Sequence, residues 1–505
     1  MAHQVEYTLL AAGVVTDPSQ SFAPDIHLSK LSFLKTYICM KSIQSMLIVM
    51  FLSSSLLTYA QNDQALTREI FKELIEINTT HSTGNTTEAA EAMAARLKAA
   101  GFEDKDLFIG GPTPDRGNLV ATMRGTGKKK PVILMAHIDV VEANPTDWSF
   151  DPFKFQEIDG YYYARGSSDD KAMASIFIAN LIRLKKENYQ PERDIMVALT
   201  ADEEGGDHNG IAWLLENYPP FKTAEFAINE GGGGQAKDGK KVLNGVQLSE
   251  KVFQSFTLEV KDPGGHSSLP RKDNPIYHLA KALTNLSAYD FPINLNDGTR
   301  AFFERSAKIE TGQLAADMKG IIQNPPDAGA VERFSATPYY NALLRTTCVA
   351  TMLEAGHAEN ALPQTATAIV NCRILPGEDP AKIKQQLISV FDDNRITVTP
   401  IAPAKASPPS PLDPQVVGPI EKVTAKMWPG VPVIPVMSTG ATDGAYTRNA
   451  GIPTYGVSGL FSDIDDKRAH GKDERINVKA YYEGQEFLYQ LTKELTQPIK
   501  VGSKR

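Results

Sequence analysis

The chain has 505 residues, of which 42% are hydrophobic and 22% charged, with 37 glycines and 32 prolines. That length predicts roughly two to four domains, and the composition excludes a disordered or fibrous chain. Lys and Arg number 52 against 60 for Asp and Glu, and the net charge of −8 excludes a general nucleic-acid binder. Nine histidines and three cysteines complete the inventory of chemically capable side chains.

The first feature in chain order is the apolar run Met46 to Leu57, MLIVMFLSSSLL, which falls short of the roughly 20 residues that a membrane-spanning helix needs. Met40-Lys41 before it supply a start and a positive charge. Thr58-Tyr59-Ala60 after it place small residues where a signal peptidase reads. Residues 40–60 are therefore expected to be a cleaved secretory signal and residues 1–39 a non-native leader. The mature chain then begins near Gln61, secreted or periplasmic, with no stable membrane anchor. Residues 1–60 carry Glu6, Asp17 and Asp25 against Lys30, Lys35 and Lys41, so the acidity belongs to the remainder. Cys39 is lost with the leader. Cys348 and Cys372 lie in β-type runs, and the sequence leaves open a cross-strand disulfide or two buried thiols.

Apolar spacing predicts helices over 66–77 and 87–100. Strands over 118–123, 132–136 and 195–199 then alternate with helices over 171–185 and 210–217, the signature of an α/β domain with a mostly parallel sheet. Near Phe253 the pattern changes to strand, glycine turn and helix (256–260, 263–265, 275–286), with further strands around 347–354 and 366–374. An inserted α+β lid over 253–400 is expected, with 284–345 as a long insertion within it. The proline-rich stretch 401–414 reads as a linker. The catalytic domain is thus expected in two parts, 61–252 and 415–505.

Five separated motifs carry chemistry. His137-Ile138-Asp139 follows a strand, where ligands of open α/β sheets bind, and Asp139 is placed to orient the imidazole. Ser168-Asp169-Asp170 opens a helix. Asp202-Glu203-Glu204 crowds three acids at a strand end, which raises their pKa values unless a cation sits among them. Asn229-Glu230 precedes four glycines, and His470 lies in Ala469-His470-Gly471. Nitrogen and oxygen donors without a thiolate suit zinc.

Taken in order, these motifs resemble those of the dinuclear-zinc aminoacylase and carboxypeptidase family, which includes carboxypeptidase G- and carboxypeptidase S-like, acetylornithine deacetylase-like and carnosinase-like enzymes. The resemblance covers about residues 64–490 and implies two Zn2+ ions, with Co2+ or Mn2+ as substitutes. It implies that Asp169 bridges them, that His137 and an acid of the Asn229-Glu230 pair complete one site, and that Glu204 and His470 complete the other. Glu203 matches the family's general base. Relatives commonly present Asp-Glu-Gly where this chain has Asn229-Glu230-Gly231. Glu230 is the expected ligand, because an anionic oxygen holds zinc better than an amide.

The resemblance also implies that His266, in Asp262-Pro263-Gly264-Gly265-His266, donates to the oxyanion. Asn360 and Arg373 match substrate-contacting positions, Arg373 as a carboxylate clamp. Asp443 is expected to support the site near His470. His81, His208, His278 and His357 have no role assigned. The expected activity is cleavage of a peptide or N-acyl-amino-acid amide bond by water, in a monomer or homodimer. The alternatives are a deacylase in place of a peptidase, or a non-catalytic binding ectodomain.

Overall fold

The computed structural model describes residues 63–497, so the expected leader and signal lie outside the described residues. A large sheet is built from β1 (Leu107–Gly110), β2 (Asn118–Met123), β3 (Val132–His137), β4 (Ile195–Thr200), β5 (Phe226–Asn229), β6 (Gly234–Lys237) and β7 (Lys240–Glu250). At Lys251 the chain leaves it for β8 (Val252–Lys261), β9 (Thr347–Ala355), β10 (Thr365–Ile374) and β11 (Thr397–Pro400). It returns as β12 (Val433–Ser438), β13 (Thr454–Gly456) and β14 (Phe461–Asp463). The large sheet runs β1-β2-β4-β3-β5-β13-β7-β6-β14, with β12 on β7, and is mixed but mostly parallel.

Why β2, β3 and β4 read as unbroken apolar runs is now plain: all six residues of each are buried, because helices cover both faces. Along β3 the period of two persists underneath. Val132, Leu134 and Ala136 face a core shared with the helices 63–76, Thr86–Ala99, Lys171–Lys186, Pro414–Met427 and Val478–Thr496. Ile133 and Met135 face the opposite layer with Ile211 and Leu214 of the helix Gly210–Asn217.

The second sheet is separate and antiparallel, ordered β9-β10-β8-β11. β10 alternates half-buried and buried residues, as a sheet covered on one face should. The helices Pro275–Ser287 and Pro380–Phe391 cover that face. Cys348 and Cys372 stand directly opposite each other on β9 and β10 and are joined as a disulfide.

Within the interval expected to form the lid, the helices between Asp297 and Leu344 pack elsewhere. Phe302, Phe303, Met318, Ile321 and Phe334 share a core with Leu243 of β7 and Ile434 and Met437 of β12. Their apolar faces thus cover the large sheet, which sequence spacing could not reveal. The proline-rich stretch also differs from a free linker. Ser410 donates its N–H to Leu248 at 2.8 Å and its hydroxyl to the Thr454 carbonyl at 2.7 Å, strapping the stretch across β7 and β13.

Candidate active site

Parallel strands β3, β4 and β5 end at one edge of the sheet, the edge where open α/β folds bind ligands. His137 is the last residue of β3, the Glu203-Glu204 pair lies just past Thr200 of β4, and Asn229 closes β5 with Glu230 after it. Asp169 precedes the helix Lys171–Lys186, and His470 precedes Arg475–Asn477, which pairs with Tyr161–Tyr163.

One carboxylate joins two histidines. Asp169 Oδ1 lies 2.9 Å from His137 Nε2, and its Oδ2 lies 3.2 Å from His470 Nε2. His470 Nε2 is also 2.8 Å from Glu204 Oε1. Potential ligand atoms of His137, Asp169 and Glu204 all fall within 4.8 Å of one another. Burial alone would push the Asp169 carboxyl up, yet its hydrogen bonds with His137 and His470 hold it far below the usual range. The Asp169 contact raises His470 to about 9.

The surrounding acids behave in the opposite way. Burial, reinforced by neighbouring carboxylates, pushes Glu203 well above the usual range and Glu204 up to about 7. Glu230 is partly exposed as a residue, but its carboxyl is enclosed and is pushed well up by burial and by Asp169 and Asp170. Asp170 Oδ2 is buried without a hydrogen-bond partner. So many enclosed carboxylates cannot all ionise without a cation among them.

Three details depart from the expectation. The carboxylate of Asp139 is 3.6 Å from His137 Nδ1, whereas the Asp139 backbone carbonyl accepts from that nitrogen at 3.0 Å. The carboxylate instead accepts the N–H of Glu203 at 3.2 Å and of Glu204 at 3.0 Å, fixing the turn that aims both acids. Asp202, with φ of 53°, turns away to Arg116 Nε at 3.1 Å, so only two of the three crowded acids face the cluster. Asp443 supports the end of β4 and not the His470 segment: it accepts from Thr200 Oγ1 at 2.8 Å and Asn209 Nδ2 at 2.6 Å.

The remaining expected residues sit on the second sheet and its loops. His266 lies in a short two-stranded pairing, Gly265–His266 with Ala361–Leu362, opposite Ala361, with Asn360 just before the second strand, and both are exposed. Among the described residues no hydrogen bond or ion pair links either of them to the cluster. Nδ1 of His266 accepts the Ser268 N–H at 3.1 Å, which places the proton of the neutral ring on Nε2. Arg373 donates to the Thr439 carbonyl at 3.1 Å and stacks on Phe253 at 4.8 Å. No carboxylate pairs with it among the described residues. His278 sits between Asp273 and Asp393, away from the cluster.

Sequence reasoning passed over Glu474. Its fully buried carboxylate accepts from the N–H groups of Gly166, Ser168 and Asp169, from the Ser168 hydroxyl and from Arg165. Its nearness to His470 was the available signal. The donors lie about 300 residues away in the chain, at a separation of 305 for Asp169.

Fold and site together define a metallohydrolase that acts on peptide and related amide bonds. The chain belongs to peptidase family M20/M25/M40, whose model matches residues 133–494. It is 29% identical over 450 residues to the N-fatty-acyl-amino acid synthase/hydrolase PM20D1 of Homo sapiens, covering 86% of this chain and 88% of the relative. Among solved structures, an M20 family metallo-carboxypeptidase of Sulfolobus solfataricus superposes with a TM-score of 0.61 at 20% identity, covering 85% of this chain and 99% of the other. The YXEP protein of Bacillus subtilis, described as a dinuclear metal binding peptidase, gives 0.56 at 12% identity over 86% and 98% of the two chains.

Proposed function

We propose that the protein is a two-zinc hydrolase that cleaves the amide bond of a peptide or N-acyl amino acid bearing a free carboxylate. The carrying observation is the Asp169 carboxylate, whose two oxygens meet His137 on one side and His470 on the other. The donor set fits zinc: imidazoles and carboxylates, no thiolate, and enclosed acids that call for positive charge. Asp169 would bridge, His137 and Glu230 would hold one ion, and Glu204 and His470 the other. Zinc supplies Lewis acidity, which acidifies water and polarises a carbonyl.

The chain's own residues do the rest. Glu203 takes the proton of the attacking water as it adds to the carbonyl carbon, and returns it to the amine nitrogen as the C–N bond breaks. Asp139 holds the Glu203-Glu204 turn by two backbone amides. His266 donates from Nε2 to the oxyanion, and Arg373, with Asn360, holds the substrate carboxylate. In this reading the catalytic domain comprises residues 61–252 and 415–505, interrupted by the 253–400 insertion. The Cys348–Cys372 disulfide supports a secreted or periplasmic location for the chain after signal removal.

Replacing Glu203 by Gln tests the reading. Turnover of dipeptides and N-acyl amino acids falls by a factor of about 100 or more while bound zinc stays at the wild-type level. Undiminished turnover in the variant removes Glu203 from the chemistry.

A further inference from the structure

We infer that Arg395 is a positioning residue for His266, an inference that rests on the oxyanion role proposed above. Its guanidinium ties together the two feet of the loop 262–274 and so fixes where the histidine presents Nε2.

The loop needs such a tie. His266 is exposed, and its Nδ1 meets Ser268 of its own loop, the N–H at 3.1 Å and Oγ at 2.7 Å. Where the ring stands therefore depends on the backbone that carries it. Gly264 and Gly265 just before it have φ of 75° and 150°, a stretch with no Cβ to restrict it. A donor displaced by about 1 Å loses much of its hold on a developing charge.

Arg395 lies outside the loop, between the helix Pro380–Phe391 and β11, and reaches both feet. At the first foot Nη2 donates to the Lys261 carbonyl at 2.8 Å and stands 3.5 Å from Asp262 Oδ2. At the second, Nη1 donates to Asp273. The fork is itself held in place. Asp393 accepts the Arg395 N–H at 3.0 Å and pairs with His278 Nδ1, while His278 Nε2 meets Asp273 at 2.7 Å. Within the loop the Asp262 side chain, 2% exposed, accepts the Gly264 N–H at 2.8 Å and pairs with Arg271. Arg271 also donates to the Gly264 carbonyl at 3.2 Å, so the ties run from Arg395 to within two residues of His266.

Exposed ion pairs contribute little to stability, and the Asp273 side chain is 57% exposed, so the consequence of this network is geometric. A planar guanidinium holds two acceptors at a set separation, which the point charge of a lysine does not.

The test is a double-mutant cycle in the zinc-loaded full chain. Both kcat and KM are measured on the fastest-cleaved of N-acetyl-leucine, N-dodecanoyl-leucine and glycyl-leucine. Arg395→Met lowers kcat by about tenfold or more with KM little changed, because an oxyanion donor acts in the transition state. In a His266→Ala background the same substitution costs about twofold at most, since the donor that it places is gone. Asp273→Ala, which frees the second foot, gives the same pattern and replaces Arg395→Met should that variant fail to fold. A merely structural loss would multiply through both backgrounds. Wild-type kcat in Arg395→Met and Asp273→Ala, a change confined to KM, or equal losses with and without His266 overturns the inference and leaves the oxyanion reading standing. Wild-type kcat in His266→Ala overturns both.

Discussion

The buried carboxylate of Glu474 accepts the backbone N–H of Asp169 at 3.2 Å. The same group accepts from Ser168 N at 2.7 Å and Arg165 at 2.6 Å, and Arg165 in turn donates to the His470 carbonyl at 3.3 Å. The segments carrying Asp169 and His470 are therefore one braced unit. Glu474→Gln replaces an acceptor oxygen with an NH2 group that faces other donors. Zinc affinity, measured by competition with a chromophoric chelator, is expected to fall by about 10- to 100-fold with the far-ultraviolet circular dichroism unchanged. Wild-type affinity in the variant would show that the brace does not govern the site.

Asn229 and Glu230 divide the end of β5 between an amide and an acid. Glu230→Gln is expected to reduce bound zinc from two ions per chain to one, whereas Asn229→Ala retains two, as read by elemental analysis after gel filtration. The reverse pattern would assign the ligand to Asn229.

Lys251 stands where the chain passes from the large sheet to β8, with Nζ donating to the Arg345 carbonyl at 2.7 Å and Thr347 Oγ1 at 3.3 Å. It is 2% exposed, and burial pulls its pKa from the ordinary 10.5 down to about 7. Between those values the unfolded chain holds a proton that the folded chain has released, so stability rises with pH. Below about pH 7 both forms are charged and the burial cost is fully present. The unfolding free energy of the wild type relative to Lys251→Met should rise by about 1–3 kcal/mol between pH 7 and pH 9 in urea titrations. A difference that does not vary with pH would place a charged ammonium in the fold throughout.

Local pattern carried much of the architecture, because strands and helices announce themselves by period. The runs 118–123 and 210–217 match their elements end to end, and β3 and β4 extend one residue beyond the predicted runs, to His137 and Thr200. The change of pattern near Phe253 falls one residue after β8 begins. The motif order likewise announced the cluster, since His137, Asp169, Glu204 and His470 do converge. What stayed hidden is long-range and aperiodic. Asp139 reaches Glu203 and Glu204 across a strand end, Asp202 is claimed by Arg116, and Glu474 closes on a loop 305 residues earlier. The helices from Asp297 to Leu344 show ordinary amphipathic spacing, which says that a face is buried but not which sheet buries it.

The central claim is metal-dependent amide hydrolysis at the Asp169 cluster. Hydrolysis of N-acyl amino acids and dipeptides is measured before chelation, after exhaustive chelation and after return of zinc. The account predicts that activity vanishes with the metal and returns as the second zinc equivalent binds. Full activity in protein shown by elemental analysis to be free of divalent metal would contradict it.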